Sequence, residues 1–315
     1  MGAERVFVTG AAGFIGTSLL RAATAAGYSV DALTRSEASA AALRAQGANA
    51  IIGDLADPDG AWQATARRAD AIVHLAQPQT FDGRVTTARA KRYGDARLAM
   101  DRTLFKAVDP TKTRRIIYVA GTSYYGECGR TLCNEDAVPH PRGFGPYLAP
   151  AIEALPGYVA RGLPIVVALP GWVYGPGSWF AQYLLEPLKA GKPVYGLRGR
   201  SRFTSPVHVD DCAGALVHLI KNGTVGSRYF IVDDAPVTGE RLVELAAAAL
   251  GVAPRARRLP YALLRLILGQ VVTESMAYEN RLSNNRLRST GFLFTFPTCE
   301  LGIPHVVQTW LKERT

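Results

Sequence analysis

The segment Thr9-Gly10-Ala11-Ala12-Gly13-Phe14-Ile15-Gly16 follows an apolar run from Arg5 to Thr9 and opens a helical stretch. Three glycines at that spacing let the backbone turn tightly and approach a pyrophosphate. Amide groups at the start of the helix then face the phosphate charge, which the helix dipole favours. The pattern predicts a dinucleotide site held by Thr9, Gly10, Gly13, Phe14, Ile15 and Gly16. Folds that bind NAD usually end the second strand with a carboxylate for the adenosine ribose; here that place is Thr34, followed by Arg35. A guanidinium there can stack on adenine and pair with a 2′-phosphate, so NADP(H) is expected over NAD(H). The competing reading of Arg35 is a solvated loop arginine. Asp54, in Gly53-Asp54-Leu55, suits the adenine amino group, and His74-Leu75-Ala76 closes the fourth strand beside the cofactor.

Trp172, Tyr174, Trp179 and Phe180 cluster just past a strand end, where open α/β sheets place their ligands. The intervening Gly175-Pro176-Gly177 predicts an exposed loop, so Trp172, Tyr174 and Trp179 are expected to touch substrate; a packed core is the other use of such a cluster. Arg198, Arg200 and Arg202 alternate as one solvated face of a strand would. The cysteines Cys128, Cys133, Cys212 and Cys299 lack the paired spacing of a zinc site, so no metal is expected and they read as reduced thiols. For Cys128 and Cys133, close together in one loop, a redox or nucleophilic role stays open.

These groups need a frame, and the first half of the chain supplies one. Short β-rich runs (Arg5 to Thr9, Ser29 to Leu33, Ala50 to Ile52, Ala71 to Leu75, Arg115 to Ala120, Pro164 to Leu169) alternate with helical stretches. The stretches are Ile15 to Ala26, Ala38 to Gln46, Trp62 to Arg67, Ala96 to Val108, and Tyr147 to Arg161 with a kink expected at Pro156. Such alternation predicts parallel strands with crossover helices, a Rossmann-type doubly wound α/β sheet. After Gly171, glycine and proline punctuate the chain and a smaller C-terminal substrate-binding lobe is expected. The boundaries read as 1–170 for the dinucleotide-binding domain, with 206–230 returning to it, and 171–205 with 231–315 for the lobe.

A chain of 315 residues is long enough to bury a core in each part. No apolar run approaches the roughly 18 residues of a membrane span, and Met1 to Gly10 enters a strand without a leader, so a cytoplasmic protein is expected. The net charge of +10 is spread through helices and loops, which indicates neither a nucleic-acid nor a membrane partner. The densest basic patch, Arg255, Arg257 and Arg258 before Tyr261 to Leu268, reads as a solvated start leading into a buried helix, with an interfacial amphipathic helix as the competitor. The expected partner is a small-molecule substrate, and a homodimer is allowed.

Together these motifs resemble the extended short-chain dehydrogenase/reductase family, which includes nucleotide-sugar epimerases, dihydroflavonol-type reductases and hydroxysteroid dehydrogenases. The likeness rests on Thr9 to Gly16, Asp54-Leu55, His74-Leu75-Ala76, Tyr125-Gly126, Pro170-Gly171-Trp172-Val173-Tyr174-Gly175-Pro176-Gly177 and Val207-His208-Val209-Asp210-Asp211. It implies that Leu55, Leu75, Ala76 and Pro170 join the cofactor site. In that family a Tyr-x-x-x-Lys pair handles the substrate proton and a Ser or Thr after the preceding strand orients the substrate. The tyrosine place is Tyr147, but Ala151 stands where the lysine belongs, and the hydroxyl place is Gly121, with Thr122 and Ser123 next to it. The resemblance therefore implies a catalytic set reduced to Tyr147 with Thr122 and Ser123. Tyr124 and Tyr125 are substrate-contact candidates, with Glu127, Cys128 and His140 further along the loop.

A phenol is protonated at neutral pH, so a lone tyrosine donates a proton more readily than it accepts one. The expected function is NADP(H)-dependent reduction of a carbonyl or related group on a small metabolite. A non-redox lyase, cyclase or isomerase on the same fold and a cofactor-sensing binding protein are the alternatives.

Overall fold

The computed structural model describes residues 3–78, 85–199 and 201–314; Arg200 lies outside them. The first half runs β1 (Arg5–Thr9), α1 (Phe14–Ala25), β2 (Ser29–Thr34), α2 (Glu37–Ala45), β3 (Asn49–Ile52), α3 (Trp62–Arg67), β4 (Ala71–His74), α4 (Thr87–Ala107), β5 (Arg115–Val119), α5 (Gly145–Ala160) and β6 (Ile165–Pro170). Shorter elements follow: β7 (Trp172–Tyr174), α6 (Glu186–Lys189), β8 (Val194–Leu197), β9 (Phe203–Thr204) and β10 (Pro206–His208). Then come α7 (Val209–Asn222), β11 (Arg228–Ile231), β12 (Val237–Thr238), α8 (Gly239–Leu250), β13 (Ala256–Leu259), α9 (Tyr261–Leu268), α10 (Gln270–Ser275), α11 (Asn285–Arg288) and α12 (Cys299–Lys312).

Seven strands form one sheet in the order β11-β6-β5-β4-β1-β2-β3, and every neighbouring pair is parallel. This is the Rossmann-type doubly wound sheet, and its order reverses between β1 and β4, where such sheets bind ligands beyond the strand ends. Parallel strands are covered on both faces, and alternation along β1 shows how. Val6 and Val8 enter one core with Leu19 and Leu20 of α1 and Leu216 of α7, whereas Phe7 enters the other with Trp62 of α3, Leu104 of α4 and Leu155 of α5. Proline does not end α5: Pro150 and Pro156 both lie inside it. After β10 the chain comes back to the sheet, α7 bonding to α1 through Ser18 Oγ and Asp210 Oδ1 (2.8 Å) and β11 pairing with β6.

A third core is built from Tyr174, Phe180, Leu185, Leu242, Ile303, Val306 and Trp310. Helix α9 departs from the expected buried helix. Only Leu264 is buried, while Tyr261, Leu263, Leu266 and Ile267 are exposed. Apart from Arg265 the run is apolar, which leaves little mark of which side meets protein, and here a single side chain does. Among the described residues no helix is long and apolar enough to cross a membrane.

Asp233, just after β11, is 1% exposed and lies between β10 and the third core. Its backbone N–H donates to Pro206 O (2.7 Å), and its Oδ2 faces the Tyr174 hydroxyl (3.4 Å) and the Cys299 thiol (3.5 Å). Burial pushes its carboxyl up to about 8, well above the unfolded value. The native state therefore holds a proton that the unfolded chain has released. The stability this confers is complete below about pH 4 and is lost as the pH rises through 8. Asp233→Asn is expected to remove that loss, so its thermal midpoint should gain on the parent between pH 5 and pH 8. An identical pH dependence in the two proteins would contradict the assignment.

Candidate active site

The glycines of the first turn are fixed by close backbone contacts. Gly10 has φ +77°, and a Cβ there would stand 2.7 Å from the backbone nitrogen of Ala76. A Cβ on Gly16 would meet the carbonyl oxygens of Gly10 and Ala11, and one on Gly13 would lie 3.2 Å from Gly10 O. Gly13 caps α1 without a side-chain bond, so the first-turn amides keep their donors for a ligand. The ring of Phe14 lies against Gly175, where a Cβ would come within 2.8 Å of it. A cradle that any side chain would fill fits a pyrophosphate.

Beneath this turn lies a buried polar network that the sequence reading missed. Register places Thr9 of β1 beside His74 of β4, and His74 beside Tyr118 of β5, in a row across the sheet. Helix α4 supplies Arg97 and Asp101 to that row, both buried. The guanidinium donates from Nε to Asp101 Oδ1 (2.9 Å), from Nη1 to Ala76 O (3.1 Å) and from Nη2 to Val119 O (3.1 Å). Tyr118 donates its hydroxyl proton to Asp101 Oδ2 (2.6 Å). Burial alone would raise the Asp101 carboxyl, but Arg97, His74 and Tyr118 together hold it below the ordinary carboxylate range. An ionised Asp101 only accepts, so His74 donates from Nε2 (2.9 Å) and its Nδ1 accepts the Thr9 hydroxyl (2.6 Å). Burial, with Arg97 beside it, lowers the His74 pKa and keeps the ring neutral. Thr9 Oγ1 then accepts the Ala76 N–H (3.2 Å), so the network clamps the ends of β1, β4 and β5 at the switch point.

At the adenosine end Thr34 is buried and Arg35 exposed. Ser36 caps α2, its Oγ accepting the Ser39 N–H (3.3 Å), which adds a hydroxyl beside Arg35 that the sequence reading passed over. A serine directly before a helical run is the signal that marks it. Asp54 Oδ1 accepts the Ala56 N–H (2.9 Å), holding the carboxylate at the end of β3, and Leu55 is buried beneath. Leu75 is partly buried, its N–H bonded to Thr9 O (3.1 Å), and Pro170 ends β6.

The catalytic candidates meet where α5 begins. Thr122 is buried and Ser123 partly so, and the Ser123 carbonyl accepts the Arg142 N–H (3.2 Å). A Cβ on Gly145 would collide with that carbonyl, so the chain before Tyr147 lies directly on Ser123. Tyr147 is half-buried among Val85, Phe144, Val271 and Val272, which ties α10 to the site. Gly94 lets α4 approach: a Cβ there would be 2.5 Å from the Tyr147 carbonyl. Ala151 is 2% exposed.

Three of the substrate candidates, Tyr124, Tyr125 and Tyr174, are buried. Tyr125 is 1% exposed, donates to Glu135 O (2.6 Å) and packs edge-on against Phe230; Tyr124 stacks edgewise beside it. Tyr174 is fully buried in the third core. All three fill core with their rings, and the Tyr125 and Tyr174 hydroxyls reach Glu135 O and Asp233 Oδ2 there. Trp172 and Trp179 remain partly exposed, in edge contact at 5.0 Å, with Trp179 Nε1 donating to Val173 O (2.8 Å).

Among the described residues, His208, Asp210 and His305 bring ligand atoms within 4.8 Å of one another. Nδ1 of His208 accepts the Asp210 N–H (3.1 Å), so Nε2 carries the proton and faces Nδ1 of His305 at 3.2 Å. Burial pushes the His208 ring down to about 4, which keeps it neutral.

Residues 6–231, from β1 to the last strand of the sheet, match the NAD dependent epimerase/dehydratase family. The chain belongs to this family. It is 29% identical over 315 residues to a 3-diazoavenalumate denitrifying reductase from a Streptomyces species, covering 95% of this chain and 99% of that protein. It is 27% identical over 294 residues to a 4-hydroxy-2-methyl-3-oxo-4-farnesyl-3,4-dihydroquinoline-1-oxide ketoreductase from Stigmatella aurantiaca, covering 90% and 85%. Its fold matches the crystal structure of human epimerase family protein SDR39U1 with NADPH, at a TM-score of 0.79 and 24% identity over 96% of this chain and 99% of that one. The family match contains every cofactor candidate named from the sequence, together with Arg97, Asp101 and Tyr118.

Proposed function

We propose that the protein is an NADP(H)-dependent reductase of a small organic substrate. The observation that carries this reading is the end of β2, where a buried threonine replaces the family's ribose-binding carboxylate and an exposed arginine and serine follow. Both enzyme relatives bear the names of reductases, and the human protein was crystallised with NADPH. When bound, the cofactor supplies a hydride. Gly10, Gly13 and Gly16 with the first amides of α1 would hold the pyrophosphate, Arg35 and Ser36 the 2′-phosphate, and Asp54 the adenine amino group. Leu75, Ala76 and Pro170, at the ends of β4 and β6, would line the remainder. Tyr147 donates the proton that a carbonyl oxygen needs on reduction, Thr122 and Ser123 orient that oxygen, and Trp172 with Trp179 forms a wall for the substrate. A cytoplasmic location and a homodimer belong to the same reading, checked by fractionation and by light scattering.

Charge-assisted bonds to the 2′-phosphate are worth about 1.5–3 kcal/mol each, and about 1.4 kcal/mol is tenfold in affinity. Arg35→Ala is expected to weaken NADPH binding about tenfold or more and to leave NADH binding nearly unchanged, measured by calorimetry. Equal losses for the two cofactors would reduce Arg35 to a stacking platform, and no loss would place it in solvent. A parent protein that binds neither cofactor would end the proposal.

A second reading of the reaction is favoured by Ala151. Without the lysine, the tyrosine loses the group that in this family lowers its pKa and holds the nicotinamide ribose. An acceptor that takes up hydride alone and expels a neutral leaving group needs no proton donor. The Streptomyces relative is named for denitrifying a diazo compound; an aryl diazonium cation, which takes up hydride and releases dinitrogen, is an acceptor of that kind. Offering the protein an arenediazonium ion and a ketone with deuterated NADPH separates the two readings by which product carries deuterium.

A further inference from the structure

The loop that leaves β5 after Tyr125 carries Cys128 and Cys133, both partly exposed. Each is bonded to the same stretch of the C-terminal lobe. The Cys128 N–H donates to Glu279 O (2.9 Å), the Cys133 N–H to Arg281 O (2.8 Å), and Ser283 N–H returns a bond to Cys133 O (2.8 Å). Two residues of chain span at most about 7 Å, so acceptors at 279 and 281 hold the two cysteines side by side. Gly129, at φ +65°, turns the chain between them, and its N–H is accepted by Glu127 Oε1 (3.0 Å). Cys133 Sγ donates to Asn134 O (3.5 Å), and each thiol acts on the other so that Cys128 is raised and Cys133 held below the ordinary thiol range. Cys212 and Cys299 are buried, and burial pushes both thiols up.

We propose that Cys128 and Cys133 form a reversible dithiol–disulfide pair, closed by a peroxide and reopened by a thiol reductant. The Cys133 thiolate attacks one peroxide oxygen, the O–O bond breaks, and the departing hydroxide takes up a proton to leave as water. The Cys128 sulfur then attacks the Cys133 sulfenic acid, the S–O bond breaks, an S–S bond forms, and a second water leaves. In sum, two thiols give up two electrons and two protons, and one peroxide becomes two waters. The covalent ring joins the two points at which the loop is already tied to residues 279–283. The root of the loop is fixed as well, because Gly126 abuts the carbonyl of His140 and the Arg142 N–H donates to the Ser123 carbonyl. This pair stands independently of the reductase reading.

The test uses the folded, full-length protein treated with a small excess of hydrogen peroxide and followed by intact mass and peptide mapping. The expected product has lost two hydrogens, contains a 128–133 cross-linked peptide, and regains its mass with dithiothreitol. Cys133→Ser is expected to give no such loss, and Cys212 and Cys299 are expected to stay reduced throughout. Oxygen added to either cysteine without a cross-link, a cross-link between two chains, or the same mass loss in Cys133→Ser would each overturn the proposal.

Discussion

Arg97→Met is expected to destabilise the protein by about 3–5 kcal/mol, because it leaves the Asp101 carboxylate buried without its cation. The methionine fills much of the volume but donates no hydrogen bond. Ala76 O and Val119 O lose their donors in the same step, and with them the clamp on the ends of β4 and β5. Urea unfolding of the single variant, of Asp101→Asn and of the double variant forms a cycle that isolates the pair. Replacing both partners should recover part of the loss, since a buried ion pair is costly mainly when it is halved. A single-variant loss under about 1 kcal/mol would show that Asp101 is satisfied by His74 and Tyr118 alone. NADPH affinity at a temperature where the variant stays folded is expected to fall as well, because Ala76 lies against Gly10 in the cofactor turn.

Tyr147→Phe is expected to lower kcat for a ketone by about two to four powers of ten while NADPH affinity stays the same. The substitution keeps the packing against Phe144 and Val271 and removes only the hydroxyl, so a loss in kcat reports proton donation. If diazonium reduction proceeds at the parent rate in the variant while ketone reduction collapses, both readings of the acceptor are separated in one protein. Ala151→Lys is the complementary change. A lysine at that buried position is expected to raise the ketone rate and to cost about 1–3 kcal/mol of stability through overpacking. An unchanged ketone rate in a folded Ala151→Lys protein, with Tyr147→Phe also unchanged, would remove Tyr147 from the chemistry.

The sequence by itself determined the features whose physics is local. The glycine turn, the alternation of strand and helix, the missing carboxylate at Thr34 and the missing lysine at Ala151 are each legible within a few residues of chain, because tight turns, periodicity and fixed offsets are short-range properties. Only the tertiary structure decided which polar and aromatic groups meet. Thr9, His74, Arg97, Asp101 and Tyr118 come from β1, β4, α4 and β5, and parallel register rather than spacing in the chain sets them in one buried row. Tyr125 and Tyr174 resemble pocket residues in the sequence, since an aromatic beside glycine reads the same at a pocket wall and in a core, and their burial came from packing against Phe230 and against α12. The exposure of α9 is the reverse case. Its residues are apolar enough for a core, but only Leu264 finds one, because burial depends on what the rest of the chain brings to a helix.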